Sequence, residues 1–120
     1  MSNPIITMEN VSKCYQVGNE QIHALSDVSL DVERGEYLIF MGPSGSGKTT
    51  ALNLVGTLDH PSSGEIYFEG ASLTKMTRSQ CASYRTFEVG HIFQTFNLIE
   101  SLNSLENVRI PLILAGVSRE

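Results

Sequence analysis

The hydrophobic pattern of the chain changes period three times. Through residue 36 it reads as β structure: Ile5-Ile6-Thr7-Met8 and the segment from Val11 to Tyr15 are separated by turn formers from Ile22-His23-Ala24-Leu25. Val28, Leu30 and Val32 then alternate with Ser29 and Asp31, the period of a half-buried strand. After a turn at Glu33-Arg34-Gly35, Tyr37-Leu38-Ile39-Phe40-Met41 is apolar without alternation, which predicts a strand buried on both faces. An antiparallel sheet is thus expected to hand over to a buried, parallel one.

From Lys48 the period becomes helical. Ala51, Leu54, Val55 and Leu58 fall at i, i+3, i+4 and i+7, one apolar face. The run Asp59-His60-Pro61-Ser62-Ser63-Gly64 should stop that helix, because Pro61 cannot continue the hydrogen-bond ladder. Glu65 to Glu69 reads as a short strand closed by Gly70, Thr74 to Tyr84 as a weaker helix, and Val89 to Phe93 as another strand. Asn103-x-x-Glu106 has the form of a capping box opening a last helix, with Pro111 predicting a kink or an early stop. No internal repeat or low-complexity linker interrupts the pattern. The class is mixed α/β.

Composition narrows the partners. With 120 residues, 41% of them hydrophobic, the chain has the size and apolar content of one small domain, not of a disordered segment. Eight Lys+Arg against thirteen Asp+Glu leave a net charge of −5, which disfavours a protein that binds nucleic acid by neutralising phosphates. No apolar run approaches the roughly 20 residues of a membrane-spanning helix, and the N-terminus carries no secretory signal. Cys14 and Cys81 form no C-x-x-C pair and read as reduced thiols. A soluble, cytoplasmic chain is the expectation.

One segment carries chemistry outright. Gly42-Pro43-Ser44-Gly45-Ser46-Gly47-Lys48-Thr49 fits G-x-x-x-x-G-K-[ST] in full, between an apolar strand and an amphipathic helix. Average residue usage gives a chance match of about 0.4% in a chain this long. Glycines without Cβ let successive N–H groups turn inward around a phosphate, and the helix beginning near Lys48 adds the positive end of its dipole. Lys48 supplies a mobile cation for the β- and γ-oxygens of a nucleoside triphosphate, and the Thr49 hydroxyl can ligate Mg²⁺. Local field then outweighs the acidic global charge. Thr50 occupies the position where G-x-G-x-x-G would need its last glycine, so a dinucleotide fold is not expected.

Two further residues narrow the class of phosphate-loop protein. Tyr15 precedes Gly42 by 27 positions, in the β region, where its ring can stack on adenine or simply pack in the sheet. Gln94 directly follows the expected strand Val89 to Phe93. A neutral amide there can touch Mg²⁺ or its water, or be a solvated loop residue.

Together these positions resemble the ATP-binding domain of ABC transporters along essentially the whole chain. By that resemblance Tyr15 is the adenine-stacking residue, Gly42 to Thr49 the Walker A loop (with Thr50 beside it), and Gln94 the Q-loop glutamine, with Lys48 and Gln94 serving catalysis and Thr49 and Gln94 the metal. Ala24 to Leu30 with Gly35-Glu36 match the family's approach to the loop. Gly56-Thr57-Leu58-Asp59, Phe93 to Leu98 and Leu105-Glu106-Asn107-Val108 resemble the branch serving lipoprotein release and macrolide or peptide export. The resemblance implies ATP and Mg²⁺ as cofactors, and a homodimer of such domains driving a membrane permease from the cytoplasmic face of the membrane. The Gln94 region would couple nucleotide to membrane partner.

The implied fold is a P-loop NTPase core with an N-terminal antiparallel β subdomain. Residues 1–36 form the β region, 37–100 the core from phosphate loop to Gln94, and 101–120 the start of a helical subdomain. No L-S-G-G-Q signature and no apolar strand ending in Asp-Glu occur, and His23, His60 and His91 all precede the place of the family's switch histidine. The resemblance therefore implies the N-terminal half of a domain, which should bind Mg-ATP with turnover near background. A nucleotide-binding module without hydrolysis and a P-loop NTPase outside transport are the alternatives. A nucleoside monophosphate kinase is disfavoured by the 41 residues ahead of the loop.

Overall fold

The computed structural model describes residues 3–117 as two compact units, divided between Thr77 and Arg78. In the first, β1 (Ile6–Val17) pairs antiparallel with β2 (Glu20–Val32) on one side and β3 (Ser63–Phe68) on the other, and β4 (Ala71–Ser72) completes the order β2-β1-β3-β4. The four short β segments expected before residue 36 are thus two long strands. Bulges, not breaks, explain the irregular pattern. Ile6 and Met8 face the core at the usual spacing of two, and Val11 rejoins them at a spacing of three because an extra residue enters β1 between Met8 and Val11. Asn10 there has φ 48, and Asp27 on β2 has φ 51. Two bulge N–H groups find side-chain acceptors instead: Asn10 donates to the Ser29 hydroxyl and Asp27 to that of Ser12, each at 2.9 Å.

β3 returns into β4 through Glu69-Gly70, both at positive φ, a turn that matches the right-handed strand twist. Helix α1 (Lys48–Val55) packs on β2 and buries Ala51 and Leu54. With Met8, Val11, Leu25, Ile66 and Leu73 these side chains make the core of the unit.

Several expectations need correction. Helix α1 ends at Gly56, well before Pro61, and Thr57 at φ 58 turns the chain away, so Leu58 is exposed and off the helical face. Tyr37 to Met41 is no strand here. A strand needs a hydrogen-bonding partner, none of the described segments supplies one, and Tyr37 and Met41 are 88% exposed. Every pairing among the described residues is antiparallel.

In the second unit, α2 spans Arg78–Phe87, later than the helix expected at 74–84, and buries Cys81 and Tyr84 one turn apart. The expected strand Val89 to Phe93 is irregular, with Ile92 almost wholly exposed, for the same want of a partner strand. Helix α3 (Ser104–Leu114) starts with the predicted capping box: the Asn103 side chain accepts the Glu106 N–H at 2.9 Å, and the Glu106 carboxylate accepts the Asn103 N–H at 3.1 Å. The helix passes through Pro111 and ends a turn later.

Candidate functional site

The glycine-rich segment forms the loop between residues 37–41 and α1. The Pro43 carbonyl accepts the Ser46 N–H at 3.2 Å, closing a turn that leaves Gly42, Pro43, Ser44, Gly45 and Ser46 exposed. Gly47 then leads into the helix at φ 95. A Cβ at Gly47 would lie 2.4 Å from the Ala24 carbonyl oxygen and 2.9 Å from Leu25 Cδ2. Only glycine lets the loop run this close to β2 in that conformation.

Helix α1 begins without a side-chain cap. Its N-cap residue, Gly47, carries no acceptor, and its first turn holds no acidic side chain. The earliest helical hydrogen bond runs from Ala51 N–H to Gly47 O at 2.9 Å, so the amides of Lys48, Thr49 and Thr50 precede the ladder. Uncapped amides with the dipole's positive end favour an anion. Lys48 donates its ammonium to the Gly42 carbonyl and, at 3.2 Å, to that of Pro43. Carbonyls leave its charge uncompensated, and Lys48 belongs to neither of the two side-chain ion pairs among the described residues. The Thr49 side chain is exposed on the same turn.

Tyr15 stands beside this helix. Its hydroxyl donates to Asp59 Oδ2 at 2.8 Å, and the Thr50 hydroxyl lies near enough to act on the phenol. Lys13, two residues earlier on the same strand face, places Nζ 5.1 Å from the ring centroid, within cation–π range. The same ammonium binds Asp59 Oδ1 at 3.1 Å and the His60 carbonyl at 2.6 Å. Burial, then the bond to Asp59, pushes the Tyr15 phenol above its ordinary range, with Thr50 and Lys13 opposing. At Asp59, burial opposes ionisation, but the Tyr15 hydroxyl, the His60 N–H and Lys13 together hold the carboxyl below its usual range.

The structure therefore brings Tyr15, Gly47, Lys48, Thr49 and Thr50 into one unit around the start of α1. Gln94 lies in the second unit, exposed on a tight turn where Phe96 N–H bonds Phe93 O at 3.3 Å and Phe96 and Asn97 have positive φ. Sequence reasoning missed Lys13 and Asp59. The i, i+2 spacing of Lys13 and Tyr15 was an available signal, while 44 residues separate Tyr15 from Asp59. It also missed a partner for Cys14, whose Sγ lies 3.0 Å from His23 Nδ1 across the β1–β2 ladder.

An exposed, glycine-tight loop running into an uncapped helix, with a lysine bonded to carbonyls and to no carboxylate, has the form of a phosphate-binding loop. Comparison with known proteins carries this to a family. Residues 25–119 match the family model for ABC transporters. The chain is 44% identical over 109 residues to an ABC transporter ATP-binding protein of Methanocaldococcus jannaschii, MJ0796, covering 91% of this chain and 46% of that one. It is 40% identical over 119 residues to the macrolide export ATP-binding/permease protein MacB of Agrobacterium fabrum, covering 99% of this chain and 18% of the relative. Two solved dimers of MJ0796 superpose at 42% identity over 96% of this chain and about half of theirs. The TM-score is 0.88 for the post-hydrolysis state bound to ADP and Pi, and 0.90 for the other. The chain belongs to the ABC transporter family, as part of its ATP-binding domain, and spans half or less of the length of these relatives.

Proposed function

We propose that this chain carries the nucleotide-binding face of an ABC transport ATPase whose ATP binding and hydrolysis drive export or lipoprotein release through a membrane permease. The observation that carries the reading is the conjunction, around helix α1, of uncapped amides, an uncompensated lysine and an exposed aromatic ring. The residues fit a magnesium triphosphate: no carboxylate competes in the first turn, and the loop presents main-chain donors around Gly45 and Gly47.

Lys48 exchanges its carbonyl partners for phosphoryl oxygens, and the α1 amides take negative charge along the helix axis. Thr49 offers its hydroxyl to the metal, and Tyr15 stacks on the base. Mg²⁺, when bound, would neutralise part of the triphosphate charge. Gln94, in the second unit, contacts the metal or its water and signals to the membrane partner. A second ATP-binding domain completes the site, as the dimers of the archaeal relative suggest. No helix among the described residues is long and apolar enough to cross a membrane. Attachment to the cytoplasmic face of the membrane through the permease is part of the proposal.

Mg-ATP binding and phosphate release, measured on one sample of the full protein with its permease, test this reading. Both are expected, and Gln94→Ala should lower turnover more than affinity. Binding with no release would favour a nucleotide-holding module instead.

A further inference from the structure

The Tyr15 hydroxyl is tied down where stacking alone would not require it. An exposed tyrosine near the end of a strand ordinarily turns about both side-chain torsions. Here two contacts hold it. Asp59 Oδ2 takes the hydroxyl at 2.8 Å, the Lys13 ammonium sits over the ring at 5.1 Å, and that ammonium is itself pinned by Asp59 Oδ1 and the His60 carbonyl. Asp59 is the hub, with both carboxylate oxygens engaged, Oδ1 also accepting the His60 N–H at 2.8 Å. Its own position is set by the turn after α1, where the Leu58 and Asp59 N–H groups both reach the Asn53 carbonyl and Thr57 takes φ 58.

We infer that Asp59 and Lys13 are positioning residues that hold the Tyr15 ring as a fixed platform for the nucleobase of a nucleoside triphosphate. The inference rests on the nucleotide-binding reading above and adds to it how the base end of the site is ordered. With its hydroxyl donated to Asp59, Tyr15 meets a base with its ring face, not with its phenolic proton. A ring already held in place loses little freedom on binding, so the tether contributes affinity without touching the ligand. Because the hub lies on the segment leaving α1, the helix that begins at the phosphate loop also sets the base platform, and the two ends of the ligand are gauged by one rigid element.

The test compares Mg-ATP with magnesium tripolyphosphate, which lacks the base, on the full chain. Tyr15→Phe and Asp59→Ala should each weaken Mg-ATP about three- to tenfold while leaving tripolyphosphate within about twofold. The double variant should lose no more than either single one, since both cut the same tether. Asp59→Asn, which still accepts the phenol proton, should restore most of the loss. Equal losses for both ligands, additive losses in the double variant, or unchanged ATP affinity in Tyr15→Phe would overturn the positioning role. Tyr15→Ala separates that failure from failure of the underlying reading. If even this variant leaves the ratio of the two affinities unchanged, Tyr15 does not meet the base at all.

Discussion

The carbonyl oxygen of Ala24 stands where a side chain on Gly47 would begin, 2.4 Å from an added Cβ. Gly45, two residues earlier, shares the left-handed backbone at φ 82 but faces open space. The pair separates conformational strain from steric contact. Gly45→Ala should cost about 1–3 kcal/mol from strain alone. Gly47→Ala adds an overlap with backbone that cannot swing aside, and should cost about 3 kcal/mol or more. Urea denaturation of the two variants checks the order; equal losses would mean that β2 yields to the loop.

The capping box of α3 makes a second prediction. Asn103→Ala removes the acceptor for the Glu106 N–H and should destabilise the second unit by about 1 kcal/mol. Asn103→Ser should recover most of it. Helical signal followed by circular dichroism through a thermal melt reads the difference.

These two features show what was legible in the sequence. The phosphate loop and the capping box each lie within eight consecutive residues, so local stereochemistry alone defines them. The tie between Tyr15 and Asp59 closes across 44 residues and depends on how α1 ends, which hydrophobic periodicity overestimated by carrying the helical face to Leu58. The apolar runs at 37–41 and 89–93 signalled burial on both faces, but pairing is a property of two segments. Their composition could not show that no partner lies among the described residues. The bulge at Asn10 escaped for a related reason: the alternation shifts by one residue, so one long strand reads as two short ones.

Acid should loosen the base platform. Asp59 ionises below its ordinary value of 3.8 in the fold and at that value in the unfolded chain. The unfolded state therefore binds the proton first as pH falls. The stability Asp59 contributes is present above pH 3.8 and is lost as pH drops through the lower folded value. Denaturation midpoints between pH 6 and pH 3, compared with Asp59→Asn, should show a shallower acid slope in the variant.

Alkali should act on the second unit through Tyr84, whose phenol is pushed up to about 12 by burial and then by Glu88. Unfolded, it ionises near 10.0, so between about 10 and about 12 the unfolded chain has released a proton that the fold retains. Stability from this group is full below pH 10 and falls through that window. Tyr84→Phe should flatten the difference in melting temperature between pH 9 and pH 11.

The central claim is that the Gly42–Thr49 loop and the start of α1 grip the phosphates of a magnesium nucleotide. Calorimetric titration of Mg-ATP into the folded full chain and into Lys48→Ala tests it most directly. One saturable site is predicted for the former, with affinity falling at least about a hundredfold in the variant. An absence of heat with the unaltered protein, or undiminished affinity after Lys48→Ala, would contradict it.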